Sequence, residues 1–151
     1  MNLLRNQTWF RLVPRMFHSS AQMRCPLLYA KTHETFNIEN DEVKIGVSDY
    51  ARKELGDIVF IEAEVEEEDE FEQGDSVATI ESVKATSDIY APCDGTIIEH
   101  NHDLIENIAS MDTETITEET LWFVKFKASE EDITMICGDL LSKEDYDKLC
   151  N

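Results

Sequence analysis

The stretch Gly74 to Gly95, GDSVATIESVKATSDIYAPCDG, mirrors itself about the Lys84–Ala85 bond. Reading outward from that bond, Ser82 matches Ser87, Glu81 matches Asp88, Ile80 matches Ile89, Ala78 matches Ala91, Asp75 matches Asp94 and Gly74 matches Gly95. Two antiparallel strands folded there would make these residues cross-strand neighbours and put Lys84 at the tip. The tip lacks the Asn-Gly or Gly-X of a primed hairpin turn, so a type I turn through Val83–Lys84–Ala85–Thr86 is expected. In this register Glu81 and Asp88 are like-charged neighbours, which costs stability, and Val83 presents a branched apolar side chain beside an exposed lysine. Local violations of this kind belong to sites that something else reads. The ordinary alternative is a solvated turn lysine.

The rest of the body, from Thr32 to about Lys127, reads as short strands punctuated by Gly56–Asp57, Gly74–Asp75 and Asp94–Gly95. Val43 to Val47 is a predicted strand, Ser48 caps a short helix through Leu55, and Gly56 ends it. Ile58 to Ile61 resumes as a buried strand. In Leu121 to Lys127, Trp122, Val124 and Phe126 alternate with Phe123, Lys125 and Lys127, which predicts one core face and one solvated face. Ser129-x-x-Asp132 and Ser142-x-x-Asp145 announce two short C-terminal helices spanning 129–150, with Leu141 placed to staple onto Tyr146. The acid-rich run Glu62 to Glu72 reads as a solvated loop or strand edge, since no EF-hand spacing accompanies it. His100 and His102 would share one face of a strand over Ile97 to Asn101. With no third ligand near them in sequence, they read as solvent-exposed histidines rather than a metal pair.

Charge divides the chain. Of its 13 basic residues, five (Arg5, Arg11, Arg15, Arg24, Lys31) precede the first of its 33 acidic ones, Glu34. The opening 1–30, with Arg, Ser19–Ser20 and apolar pairs split by Arg and Pro14, has the composition of a mitochondrial transit peptide, the other reading being a basic arm that stays on the protein. It has neither the apolar core of a secretory signal nor the length of a membrane span. Residues 31–151 then form one acidic domain, repelled by phosphate backbones and anionic lipid, so neither nucleic acid nor membrane is an expected partner. Cys25, Cys93, Cys137 and Cys150 form neither a disulfide framework nor a C-x-x-C motif, which agrees with a reducing compartment.

Glu81-Ser82-Val83-Lys84-Ala85 resembles the lipoylation motif of the glycine cleavage system H-protein family. Ile45-Gly46-Val47-Ser48-Asp49-Tyr50-Ala51 with Leu55-Gly56-Asp57-Ile58-Val59-Phe60 resembles the family's other strong segment. Ser87-Asp88-Ile89-Tyr90-Ala91-Pro92, Gly95, Asn101, the Trp122 strand and the Tyr146 helix extend the likeness over roughly 32–149. The related biotinyl domains carry methionines where Val83 and Ala85 stand.

The resemblance implies an all-β, lipoyl-domain-like flattened barrel or sandwich with a lysine-bearing hairpin and short C-terminal helices. It implies a carrier, expected as a monomer in the mitochondrial matrix, with lipoate in amide linkage on Lys84 and Glu81, Ser82, Val83, Ala85 and Asp88 as the recognition residues around it. The implied partners are glycine decarboxylase, aminomethyltransferase, dihydrolipoamide dehydrogenase and a lipoyl-attaching enzyme, the aminomethyl group of glycine being the cargo. No Ser/His/Asp, Cys/His or carboxylate-pair constellation argues for an enzyme. Thr35 stands where the family has Trp, and Thr115 to Leu121 replaces a Pro-Tyr-Gly-x-Gly segment. These departures keep one alternative open, a relay that donates lipoyl groups to other mitochondrial carriers; a non-lipoylated structural subunit is a second alternative, for which an intact lysine motif would be unnecessary.

Overall fold

The computed structural model describes residues 26–112 and 115–151. The basic opening of the chain falls almost wholly outside the described residues. Nine strands and four helices follow in the order β1 (Leu28–Tyr29), β2 (Glu34–Glu39), β3 (Glu42–Val47), α1 (Asp49–Leu55), β4 (Ile58–Ala63), β5 (Glu70–Phe71), β6 (Ser76–Ser82), β7 (Thr86–Tyr90), β8 (Gly95–His100), α2 (His102–Asn107), β9 (Trp122–Lys127), α3 (Glu130–Asp139) and α4 (Lys143–Cys150). A short 3-10 turn, Ile108–Ser110, continues α2.

Antiparallel pairing builds a six-stranded sheet, β1-β2-β3-β9-β8-β5, and a three-stranded sheet, β4-β6-β7. Their apolar faces meet over a core in which Val43, Ile45, Ile61, Val77, Ile80, Ile97, Phe123, Val124 and Phe126 are buried. This is the all-β fold the punctuation predicted. Leu28 and Tyr29 pair with Phe36 and Thr35, and Tyr29 is buried, so the leader boundary drawn after residue 30 cuts into the folded body. Charge gave that boundary, and charge carries no information about strand pairing.

The capping signals stand as read. Ser48, Ser129 and Ser142 each accept, through the side-chain oxygen, a backbone N–H three residues on, from Ala51, Asp132 and Asp145. Gly56 closes α1 at φ +77°, its N–H donating to the Arg52 carbonyl. Tyr146 packs its ring on Tyr29 at 4.6 Å between centroids, and its hydroxyl lies 2.7 Å from both Ser48 Oγ and His33 Nδ1. That contact ties α4 to the start of α1.

Two strand readings need correction. Of Ile58 to Ile61, only Ile58 and Ile61 are buried. Val59 and Phe60 are 43% and 48% exposed, because the β4–β6 register slips between Ile58 and Phe60. In β9, Phe123 is buried and Trp122 only half-buried, so the alternation fails at that point. The β3–β9 register slips between Ile45 and Gly46, which turns Phe123 into the core and leaves Trp122 under the Lys44 ammonium, 5.1 Å from the ring centroid. Helix α2 was not predicted. Its signal was present in Asn101, whose side chain caps Leu104 N–H, and in the apolar spacing Leu104, Ile105, Ile108.

Candidate functional site

The lysine hairpin is β6 and β7, but its register is not the sequence mirror. Ala78 pairs with Ile89, Thr79 with Asp88, Ile80 with Ser87 and Glu81 with Thr86, so each partner lies two residues from its predicted one. A two-residue shift keeps every side chain on its face of the sheet, which is why the buried set survives. The predicted Glu81–Asp88 neighbourhood does not exist. Asp88 instead accepts from the Thr79 hydroxyl at 3.0 Å and the Tyr90 hydroxyl at 3.3 Å, while Glu81 stands exposed between Phe60 and Thr86. Gly95 lies in the other sheet, opposite Phe71, and does not meet Gly74.

The tip explains the shift. The turn is Ser82–Val83–Lys84–Ala85, one residue earlier than predicted, closed by Ser82 N–H to the Ala85 carbonyl at 2.9 Å. Ser82 Oγ accepts from Ala85 N–H at 3.0 Å and Lys84 N–H at 3.2 Å and donates to the Ala85 carbonyl at 3.0 Å. One hydroxyl thus braces the Lys84 and Ala85 backbone groups of the turn in the observed register. Neither Val83 nor Lys84 takes a positive φ, as befits a turn without glycine.

A second support comes from the α1–β4 junction. Val83 N–H donates to the Asp57 carbonyl at 3.0 Å, and Lys84 Nζ lies 3.4 Å from the Glu54 carbonyl at the C-terminal end of α1, where a cation is favoured. Between them sits Gly56. A Cβ on it would stand 3.3 Å from Lys84 Cε and 3.6 Å from Val83 Cγ2. Sequence reasoning read Gly56–Asp57 only as a helix stop, and Glu54, Gly56 and Asp57 emerge as the seat of the lysine stem. It also missed Val59 and Phe60, which with Val83, 64% exposed, leave uncovered apolar surface beside the tip. Four consecutive apolar residues had suggested burial on both faces, and nothing in the sequence marks the bulge that exposes two of them.

Away from the tip, Cys93 is buried and its thiol is pushed up to about 11 by that burial, then by Asp132 and Asp94, which makes it a poor nucleophile. Two of the departures from the resemblance converge: Thr35 pairs with Gly46, and Gly46 pairs with Trp122, the residue that follows the replaced segment 115–121. A Cβ on Gly46 would lie 1.9 Å from the Leu121 carbonyl oxygen, so Leu121 closes directly over this glycine. The histidine reading changes too, because the fold brings Glu67 beside His100 and His102 as a third potential ligand that is remote in sequence.

Two facing sheets that present one lysine on a protruding, side-chain-braced hairpin define a lipoyl-domain-like β-sandwich. Residues 27–151 match the family described as Glycine cleavage H-protein. The Glycine cleavage system H protein of Halothermothrix orenii is 42% identical over 120 residues, covering 80% of this chain and 89% of that protein. That of Staphylococcus carnosus is 41% identical over 126 residues, covering 82% and 93%. The crystal structure of a glycine cleavage system H protein from Mycobacterium marinum superposes with a TM-score of 0.61 at 26% identity, over 81% of this chain and 95% of that one. The chain belongs to the glycine cleavage H-protein family, a family of carrier proteins.

Proposed function

We propose that the protein is the lipoyl carrier of glycine cleavage, loaded on Lys84 in the mitochondrial matrix, and that it acts as a carrier rather than an enzyme. The observation that carries this reading is the seat of Lys84: an exposed tip lysine whose stem lies over a glycine that leaves room for it. The residues fit an amide-linked lipoyl group, since an acylated Nζ loses its charge yet keeps an N–H to direct at the Glu54 carbonyl. When attached, lipoate supplies a redox-active disulfide on a flexible arm, so one group visits several enzymes at high effective concentration.

The chain's own part is presentation and recognition. Ser82 holds the turn, Gly56 seats the stem, and Glu81 with exposed Val59, Phe60 and Val83 offers a mixed acidic and apolar surface to the lipoyl-attaching enzyme. Glycine decarboxylase, aminomethyltransferase and dihydrolipoamide dehydrogenase meet the same end of the molecule in turn. Support for the compartment is the acid-free, Arg-bearing opening of the chain, which precedes the family match.

Peptide mass spectrometry of the protein from its own cells tests the loading: a lipoyl mass on Lys84 is expected, and a bare Lys84 in every preparation overturns it. A glycine-dependent assay with the decarboxylase then separates glycine cleavage from a lipoyl relay. The relay reading keeps one specific observation, the convergence of Thr35 and Leu121–Trp122 on Gly46.

A further inference from the structure

Nothing in presentation of Lys84 uses the acidic run or the two histidines, yet the fold assembles them. Glu67 lies in the loop between β4 and β5, His100 closes β8 and His102 opens α2. One donor atom from each lies within 4.8 Å of the others.

The loop is fastened there by its backbone. Glu68 N–H donates to the Ile97 carbonyl at 2.9 Å and Ile97 N–H to the Asp69 carbonyl at 3.0 Å, while Glu68 takes φ +72°, a conformation that L residues seldom adopt. His100 N–H donates to Glu67 Oε1 at 3.0 Å, which aims the carboxylate at the two rings. His100 Nε2 is 2.9 Å from the Val65 carbonyl oxygen. A carbonyl only accepts, so Nε2 carries the proton and Nδ1 keeps its lone pair. Donation from the second ring nitrogen to a backbone carbonyl is the arrangement that orients metal-ligating histidines. His102 Nε2 lies 3.0 Å from Glu67 Oε1, and the two imidazoles meet edge to face at 5.7 Å.

We propose that Glu67, His100 and His102 form a zinc site that pins the 64–69 loop to the β8–α2 junction. Two imidazole nitrogens and one carboxylate suit zinc, and they offer too few oxygens for calcium or magnesium. A tetrahedral shell puts ligand atoms roughly 3.4 Å apart, from metal–ligand bonds of about 2.0–2.2 Å, so donor atoms that now lie within 4.8 Å of one another would close on the ion by rotation of the exposed His102 and Glu67 side chains. The fourth position opens to solvent for a water. Neighbouring Glu64, Glu66, Glu68 and Asp69 raise the local cation concentration.

Zinc chloride titrated calorimetrically into the full reduced chain tests the site, with histidine ring resonances followed by NMR. Zinc is expected to shift the His100 and His102 signals. His102→Ala and Glu67→Gln are each expected to weaken that binding by about tenfold or more, while Cys137→Ser leaves it unchanged. Metal-free melting curves of His102→Ala and Glu67→Gln check that both variants fold, and both positions are exposed. Unchanged affinity in both variants, or ring signals that zinc does not move, overturns the proposal.

Discussion

Gly56 and Lys84 lie against one another across the α1–β4 junction, a Cβ on Gly56 standing only 3.3 Å from the Lys84 Cε. The glycine is doubly determined, by that approach and by a backbone at φ +77° and ψ −146° close to the region open only to glycine. Gly56→Ala is therefore expected to destabilise the protein by about 1–3 kcal/mol, seen as a melting point lower by several degrees. It is also expected to slow acylation of Lys84, because the added methyl crowds the lysine stem at 3.3 Å. Normal melting together with a normal rate of lipoyl attachment would refute this coupling.

Lys84→Arg separates presence of the lysine from integrity of the hairpin. The turn is held by Ser82 and by backbone groups, and the lysine head makes only a long contact with Glu54. The variant is expected to melt within about 0.5 kcal/mol of the parent, as exposed substitutions do, while losing all glycine-dependent carrier activity. Substantial residual activity would end the lipoyl reading of Lys84.

How much of this was legible beforehand follows from what each signal physically encodes. Ser48, Ser129 and Ser142 act on the backbone three residues away, so their helix starts could be read directly. The Lys84 hairpin was visible in the strand pattern, but its register was inferred from symmetry of residue types. Register is set instead by Ser82 closing its own turn and by Asp88 finding Thr79. Exposure of Val59 and Phe60 depends on a bulge between two strands, and Glu67 reaches His100 and His102 only through pairing of the 64–69 loop with β8. Those are long-range consequences that no local pattern carries.

The register separates the roles of the two acids flanking the lysine. Glu81 stands exposed next to Phe60 near the tip, whereas Asp88 is held by Thr79 and Tyr90 further along the sheet. Glu81→Lys is expected to lower the rate of lipoyl attachment severalfold at low salt and less at high salt, with little change in melting point. Asp88→Asn is expected to alter that rate less. Equal effects of the two substitutions across a salt series would show that net charge, not position, governs the encounter.

Glu118 contributes a pH dependence at the junction of β1, α1 and α4. Its carboxylate accepts from the Tyr29 hydroxyl at 2.7 Å and Asp49 N–H at 2.9 Å and pairs with Lys143 at 3.3 Å, joining β1, α1 and α4. Burial works against its ionisation, but Tyr29, Asp49 N–H and Lys143 outweigh it and hold the carboxyl below its ordinary value of 4.5. A carboxyl with a lowered folded-state pKa contributes stability that is fully present above the unfolded value and is lost as pH falls through the folded one. Glu118→Gln is therefore expected to cost about 1–2 kcal/mol at pH 7, since hydrogen bonds to a charged acceptor are lost. The gap between parent and variant should close as pH drops below about 4.5. Melting points of both proteins measured across that window check the sign: a gap that widens in acid would mean that Glu118 is not ionised in the folded protein.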